Sequence, residues 1–291
     1  MTERAHGRRP LFTLRAGARE LRLGERTAVM GIVNVTPDSF SDGGAYFDPA
    51  RAVAHGLELA AAGADILDVG GESTRPGSEP VGEEEELRRV VPVVRALAQR
   101  AGVAVSVDTT KAAVAAAALE AGAAIVNDVS ALRFDPALGA VVAGAGAALV
   151  VMHMQGAPRT MQQDPRYDDL LGEVRAELAA ALGRAAAAGV DPERVLIDPG
   201  IGFGKTLEHN LALIERLGDL AALGRPILVG PSRKAFIGRL TGAAPAERLE
   251  GTIAACVLSA ARGAHVVRVH DVAAVRRALA VADAILAGGA A

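Results

Sequence analysis

Cysteine and aromatic side chains are scarce in this sequence of 291 residues. It contains one cysteine, no tryptophan, two tyrosines and six phenylalanines. Because Cys256 has no partner, an internal disulfide is excluded, and the apolar residues on both sides of it predict a buried thiol rather than a nucleophile. A single reduced thiol suits a protein of the cytoplasm, which is where we expect this one.

The chain also lacks an excess of positive charge and any long apolar run. Its formal net charge is −3, and aromatic residues make up 3% of it. Nucleic-acid binding usually requires a basic face and, for single strands, aromatic platforms for the bases, so we expect no nucleic-acid partner. Gly, Asp or Arg interrupts every apolar run before the roughly 20 residues of a membrane span. We therefore expect a soluble protein that does not cross a membrane.

What the sequence does contain is a regular alternation of two kinds of segment. Eight short apolar runs predict strands, at residues 27–31, 65–69, 103–107, 123–126, 148–152, 195–197, 226–229 and 265–269. Their continuous hydrophobicity is typical of strands buried on both faces of a parallel sheet. The segments between them have helical spacing, as in Leu87, Val90, Val94 and Leu97.

Acidic residues mark several predicted helix starts. Asp-Pro pairs at 48–49, 135–136 and 191–192 each offer an N-cap followed by a proline at the first helical position. The acidic run Glu83–Glu86 is interpreted as a first helical turn, where the helix dipole favours negative charge.

These segments predict a single (β/α)₈ TIM barrel over residues 11–291, preceded by a flexible tail at 1–10. Barrels of this kind commonly need about 250 residues. Two apolar segments at 11–14 and 21–23 flank a polar turn and predict an N-terminal β-hairpin that could cover the bottom of the barrel. An open, doubly wound sheet remains the alternative.

Polar residues follow every predicted strand, at the end of a barrel where reacting groups gather. Any one of them could be a helix cap, but capping does not explain all eight positions together. They are Asn34, Asp68 with Glu72–Arg75, Asp108, Asn127–Asp128, His153, Asp198, Ser232–Lys234 and Arg268–Asp271.

The chemistry of this ring predicts two kinds of binding. Arg75, Lys234, Arg268 and His270 are donors suited to a phosphate or pyrophosphate. The second set consists of acceptors, namely Asp108, Asn127 and Asp198, which suit a flat heterocycle with adjacent N–H groups.

Metal-binding signals are faint. The histidines and the cysteine show no zinc spacing, and a lone His153 more often forms a structural hydrogen bond. Magnesium held mainly by ligand phosphates leaves little trace in a sequence, and Asn34 is the candidate protein ligand.

The stretch Asp198–Thr206, DPGIGFGKT, superficially resembles a nucleotide-binding P-loop. The P-loop pattern requires a glycine where this chain has Pro199. We interpret the stretch as a loop that leaves a strand and presents Asp198, and we expect no nucleotide there.

Several motifs resemble the bacterial dihydropteroate synthase family of folate biosynthesis. The longest are Met30–Gly44 (MGIVNVTPDSFSDGG) and Asp68–Gly77 (DVGGESTRPG), and shorter ones occur in the same order at 106–110, 127–128, 152–156, 198–205, 232–234 and 268–271. The resemblance covers about residues 30–272. It implies a pterin-binding barrel that condenses 6-hydroxymethyl-7,8-dihydropterin diphosphate with 4-aminobenzoate, with Mg²⁺ as cofactor, in a homodimer. The helix around Ile253–Leu258 is the candidate dimer contact.

The same resemblance implies roles for individual residues. The pterin would be held by Asp108, Asn127, Asp198 and Lys234, under a stacked Arg268, with Met152 and Gly230 also in contact with substrate. The diphosphate and Mg²⁺ would be held by Asn34, Thr74, Arg75, Arg268 and His270, and Asp38 joins this catalytic group. The aminobenzoate pocket would be formed by Phe203, Ser232, Phe40 and Pro76.

Two other functions remain open at this point. A pterin-binding methyltransferase that uses methyltetrahydrofolate and a corrinoid protein could share the acceptor set, but it does not need the diphosphate donors. A catalytically silent relative could bind a pterin or a partner protein without turnover.

Overall fold

The structure, a computed structural model, describes residues 9–36, 48–73 and 77–288. Within these ranges, eight strands form one parallel sheet. They are β3 (Ala28–Asn34), β4 (Ile66–Gly70), β5 (Ala104–Asp108), β6 (Ile125–Asp128), β7 (Ala148–Met152), β8 (Val195–Asp198), β9 (Leu228–Val229) and β10 (Val266–Val269).

The sheet curls into a barrel. Its strands pair in the order β8-β7-β6-β5-β4-β3-β10-β9, so neighbours in the chain are neighbours in space throughout. An isolated parallel bridge between Ile197 and Ile227 joins the two ends, and the Ile197 amide donates to the Pro226 carbonyl at 3.0 Å. The predicted TIM barrel is therefore confirmed, and the open, doubly wound sheet is excluded.

Three strands depart from their predicted limits by two or more residues, and the others agree within one. β3 continues to Asn34 and β6 to Asp128, because polar residues complete both strands by pairing with their neighbours. β9 contains only Leu228 and Val229. Consequently Asn34 and Asn127 lie on strands, where the barrel fixes their positions, rather than in loops.

Helices connect the strands on the outside. Their limits are α1 (Pro49–Ala61), α2 (Glu83–Arg100), α3 (Ala112–Glu120), α4 (Ala137–Ala145), α5 (Leu170–Ala187), α6 (Leu207–Glu215), α7 (Ala235–Thr241), α8 (Leu249–Ala261) and α9 (Val272–Leu286). None of these helices has the length and apolar character needed to cross a membrane.

The predicted helix starts were partly right. Asp48 caps α1 by accepting from the Ala50 amide, with Pro49 in the first turn, and the acidic run opens α2. Asp191 caps only the 3₁₀ turn Pro192–Arg194, because α5 has already ended and β8 begins directly afterwards.

The expected N-terminal hairpin is present and closes the bottom of the barrel. β1 (Phe12–Ala16) and β2 (Arg19–Leu23) pair antiparallel. Leu14, Ala16 and Leu23 are buried in one cluster with the first residues of the barrel strands. Of the proposed tail, Arg9 and Pro10 are described, and the Arg9 guanidinium binds Asp283 at 2.7 Å.

Candidate active site

Strand register brings the predicted polar residues to one end of the barrel. Asn34 pairs with Gly70, Gly70 with Asp108, and Asp108 with Asn127, so four neighbouring strands contribute to one layer. Because Gly70 has no side chain, this layer remains open between Asn34 and Asp108. The C-terminal mouth is therefore the candidate active site, as expected for this fold.

Asp68, two residues before Gly70 on β4, is fully buried. Its Oδ2 accepts from Arg268 Nε at 2.6 Å and from Asn127 Nδ2 at 3.0 Å. Arg268 also donates through Nη2 to Asp108 Oδ2 at 2.7 Å. A single guanidinium thus connects two carboxylates that would otherwise repel each other in a buried space.

The pKa of Asp108 is shifted mainly by burial. Burial raises the pKa of Asp108 to about 7, against the opposing effect of the Arg268 cation, and the charge of Asp68 adds to the rise. Both Asp108 and Asn127 are almost fully buried. The bond to Asp68 leaves the Asn127 side-chain oxygen available as an acceptor, so the two residues offer adjacent acceptors to a ligand.

Asp198 supplies a third acceptor at the end of β8, beside Met152 in the register. Burial raises the pKa of Asp198, and the Gly200 amide, which donates to its Oδ1 at 2.7 Å, lowers it. Gly200 has φ +69°, and a Cβ there would lie 1.9 Å from the His153 carbonyl oxygen. The glycine therefore permits both the turn and the close approach.

The same loop carries Phe203 and Lys205. Lys205 Nζ lies 2.9 Å from His153 Nδ1 and donates to the Phe203 carbonyl at 2.9 Å. Burial lowers the pKa of His153 to about 3, and the nearby Lys205 cation adds to that effect. His153 is thus a buried neutral side chain with a hydrogen-bonded partner.

Lys234 reaches the mouth from the loop after β9. Its Nζ lies 4.0 Å from the centre of the Phe203 ring, a cation–π distance. Burial lowers the pKa of Lys234 to about 8, against the opposing effect of Asp198. Gly230, on the same side, faces the Cβ of Arg268.

Ser232 and His270 meet beside these cations, with Ser232 Oγ 2.9 Å from His270 Nδ1. Arg233, which lies between Ser232 and Lys234 after the same strand, has a structural role instead. It adopts φ 55°, and its guanidinium binds both oxygens of Asp271 at 2.9 and 2.6 Å. This pair fixes the loop from which Ser232 and Lys234 project.

The structure therefore brings together most of the residues singled out in the sequence. They are Asn34, Asp108, Asn127, Met152, Asp198, Phe203, Gly230, Ser232, Lys234, Arg268 and His270. The remaining predicted residues, Asp38, Phe40, Thr74, Arg75 and Pro76, lie outside the described residues.

Two buried residues received no role from the sequence. The sequence predicts Asp68 only as a strand-end acid, and it does not show the contact with Arg268, 200 positions away in the chain. Lys205 appeared only as part of the near-P-loop stretch. The signal for both was a charged residue in an otherwise apolar or glycine-rich run.

A metal site built from protein carboxylates is not found in the described ranges, where no group of three or more His, Cys, Asp or Glu residues could hold an ion. Asn34, half-buried at the end of β3, offers one amide oxygen. Such a donor set fits a cation that takes most of its ligands from a phosphate-bearing substrate.

Known proteins resemble the chain along most of its length. Residues 30–270 match the family described as pterin binding enzyme. A dihydropteroate synthase of Mycobacterium leprae is 52% identical over 269 residues, covering 90% of this chain and 94% of its own. Two solved structures from Xanthomonas albilineans are also similar.

Both of these structures are dihydropteroate synthases with a ligand. The one with 4-aminobenzoic acid has a TM-score of 0.87 and 50% identity, covering 94% of this chain and 99% of its own. The one in complex with 7,8-dihydropteroate has a TM-score of 0.84 and 48% identity, covering 96% and 99%.

Proposed function

The chain belongs to the family of pterin-binding enzymes and acts as a dihydropteroate synthase, and from this premise we propose how its residues perform the reaction. The substrates are 6-hydroxymethyl-7,8-dihydropterin diphosphate and 4-aminobenzoate. The bond from the pterin methylene carbon to the diphosphate oxygen breaks, and a bond from that carbon to the amine nitrogen forms. Pyrophosphate leaves, and the amine loses one proton.

The single observation that carries the proposal is the arrangement of three acceptors and two cations at one barrel mouth. Asp108, Asn127 and Asp198 are buried side-chain acceptors, and a pterin edge presents adjacent ring and amino N–H groups. The two cations are Lys234, which lies over the Phe203 ring, and Arg268, which binds Asp108. We assign the pterin to this part of the mouth, with Met152 at its floor.

The diphosphate end is assigned to residues around β3 and β10. His270, hydrogen-bonded to Ser232, and Arg268 offer donors, and Thr74 and Arg75 join them by their place in the matching motif, with Asp38 in the same catalytic group. When bound, Mg²⁺ would neutralise charge on the diphosphate oxygens and so favour their departure. Asn34 is the residue that we assign to it.

The aminobenzoate is assigned to the side of the mouth where Phe203 and Ser232 lie. Both are almost fully buried, and the Lys234 ammonium over the Phe203 ring brings positive charge toward a benzoate carboxylate. Phe40 and Pro76 complete this pocket in the proposal.

We propose that the carbon–oxygen bond breaks before the amine attacks. An arylamine is neutral near pH 7 and needs little help from a base, so the larger barrier is the departure of an anion, which fixed donors stabilise. The pterin ring can delocalise the positive charge left on its methylene carbon. The acceptors around the ring stabilise that charge as it develops.

A homodimer in the cytoplasm is also proposed. Three large apolar side chains on neighbouring outer helices are exposed, namely Leu258 on α8 at 51%, and Val281 and Ile285 on α9 at 62% and 71%. A second copy of the chain would cover this face. Ile285→Glu should convert a dimer into a monomer in sedimentation velocity, whereas a monomeric native protein would contradict the proposal.

Pyrophosphate release tests the reaction directly. The protein is incubated with the dihydropterin diphosphate, Mg²⁺ and 4-aminobenzoate, and both pyrophosphate and 7,8-dihydropteroate are measured, with Asp198→Asn as the comparison variant. Turnover that needs both substrates and collapses in Asp198→Asn supports the assigned roles. Pterin binding without either product would overturn them.

A single-turnover experiment tests the order of bond changes. If the carbon–oxygen bond breaks first, pyrophosphate should appear without 4-aminobenzoate, together with 6-hydroxymethyl-7,8-dihydropterin formed by water. Cleavage that depends strictly on the amine would contradict a dissociative step.

A further inference from the structure

Lys205 is a buried lysine with no acidic partner in direct contact among the residues that the structure describes. It is 3% exposed, and its two hydrogen-bond partners among the described residues, His153 Nδ1 and the Phe203 carbonyl oxygen, are both neutral. Burying an ammonium without a paired carboxylate is unfavourable. A lysine in such a position therefore calls for a reason beyond packing.

The two hydrogen bonds of Lys205 determine the state of His153. An ammonium can only donate, so His153 Nδ1 must be the acceptor, and the ring is neutral with its proton on Nε2. Lys205 thereby joins the end of β7 to the loop 198–206. Because its other bond goes to the Phe203 backbone, it also fixes a residue of the mouth.

Backbone contacts hold the same two segments together around this bond. The His153 amide donates to the Asp198 carbonyl at 2.9 Å, and Tyr167 Oη, from the segment after β7, donates to the Gly204 carbonyl at 2.7 Å. The loop that begins at Asp198 is thus held at both ends against the segment that follows β7. The Lys205 ammonium lies between these two segments, in contact with His153 and Phe203.

The charge of Lys205 acts on Asp198. Burial lowers the pKa of Lys205 to about 7, and Asp198 is the main influence that opposes the fall. In return the Lys205 charge, together with Lys234, lowers the pKa of Asp198, which burial raises. The ionisable groups that face this pair from the surrounding elements are His153, Tyr167, Lys234, Arg268 and, beyond His153, Arg133.

We propose that Lys205 is a positioning residue for pterin binding, whose buried ammonium holds the 198–206 loop against the segment that follows β7 and places a positive charge near the Asp198 carboxylate. The proposal rests on the assigned contact between Asp198 and the pterin. In this proposal the lysine of the stretch Asp198–Thr206 acts through Asp198 and the loop rather than by touching a substrate itself. A purely structural lysine would affect folding without changing how binding depends on pH.

The test compares variants that separate the charge from the hydrogen bond. Lys205→Met removes the charge at similar length, and Lys205→Arg keeps it. His153→Leu removes the acceptor but leaves the lysine in place. Each folded variant is titrated by calorimetry with 6-hydroxymethyl-7,8-dihydropterin, which carries no phosphate, from pH 5.5 to 8.5.

Without the Lys205 charge, Asp198 should become protonated at a higher pH. We therefore expect Lys205→Met to lose pterin affinity more steeply than the native protein below pH 7, becoming up to about tenfold weaker at the acidic end, because protonation of Asp198 is raised by about the one pH unit typical of a lost opposite charge and adds to that of Asp108. Lys205→Arg should restore most of the affinity. His153→Leu should bind more weakly without moving the acidic limb.

The outcomes separate this proposal from the assigned pterin site. If the native protein does not bind the pterin, or Asp198→Asn binds it equally well, the pterin assignment fails. If both behave as assigned and Lys205→Met keeps the native affinity and pH profile, only the role of Lys205 is overturned. Should Lys205→Met fail to fold, native affinity in His153→Leu overturns it.

Discussion

Arg268 Nε lies 2.6 Å from Asp68 Oδ2, and this contact connects β10 to β4 across the mouth. The same oxygen accepts from Asn127 Nδ2, so one fully buried carboxylate orients a cation and an amide at once. Asp68 therefore binds the amino group of Asn127 and leaves the amide oxygen of that side chain available as an acceptor.

Asp68→Asn should reduce kcat/KM for the pterin diphosphate by about tenfold to hundredfold. The amide keeps the volume but loses the charge, and hydrogen bonds to charged groups contribute about 1.5–3 kcal/mol. The measurement is a steady-state comparison with the native protein. Unchanged kcat/KM would contradict the role of Asp68.

Asp128→Asn is the matched control for that experiment. Asp128 is equally buried at the end of the next strand but one, and its oxygens accept from the Ser130 and Leu132 amides at 2.8 and 2.6 Å. This variant should lower the melting temperature and leave kcat/KM near the native value. The two effects together distinguish a site residue from a loop cap.

The barrel was predictable because each strand has a continuous apolar run and each is followed by a helical segment. The exceptions have physical causes. β9 has only two residues, and the short apolar run 226–229 gave no information on its pairing. Asp191 and Pro192 have the chemistry of a helix start, but the chain enters β8 after one 3₁₀ turn.

The sequence predicted which residues would meet at the mouth, but not how their side chains contact one another. Strand-end position identified Asp108, Asn127 and Asp198, since a barrel collects all strand ends at one mouth. The sequence could not show that Arg268 connects Asp108 to Asp68, because that depends on side-chain direction and on strand register across the closed sheet. The contacts of Lys205 with His153 and Phe203 could not be predicted for the same reason.

Pterin affinity should follow a bell-shaped pH profile with its maximum between about pH 7 and 8. Burial raises the pKa of Asp108 to about 7, so acidification protonates this acceptor and weakens binding. Burial lowers the pKa of Lys234 to about 8, so its charge is lost above that pH. Calorimetric titration with 6-hydroxymethyl-7,8-dihydropterin measures both limbs.

Asp108→Asn provides the check on the acidic limb. The variant should bind more weakly, and its remaining acidic limb should lie at lower pH, because the group that titrates near neutrality has been removed. An acidic limb that stays near pH 7 in this variant would assign it to another residue.

Leu23→Ala should destabilise the protein without affecting its site. Leu23 is 2% exposed and packs under the barrel, at the end opposite the mouth, and truncating a buried leucine costs about 2–5 kcal/mol. Leu11→Ala provides the control, because Leu11 is 68% exposed and surface substitutions usually change the free energy of unfolding by no more than about 0.5 kcal/mol. Denaturant unfolding measures the stability of each variant, and KM reports on its site. A raised KM in Leu23→Ala would mean that the hairpin reaches the mouth.

Gly200→Ala should damage both stability and pterin binding, whereas Gly224→Ala should affect stability alone. Both glycines have a left-handed φ, +69° and +65°, so an alanine is strained by about 1–2 kcal/mol at either position. At Gly224 no described atom lies within 4 Å of the added Cβ. At Gly200 the Cβ would collide with the His153 carbonyl and displace the amide that binds Asp198.

Denaturant unfolding should therefore show the greater loss of stability for Gly200→Ala, and calorimetry should show weakened pterin binding in that variant only. Equal losses of stability with native affinity in both would contradict the close approach of this loop to β7.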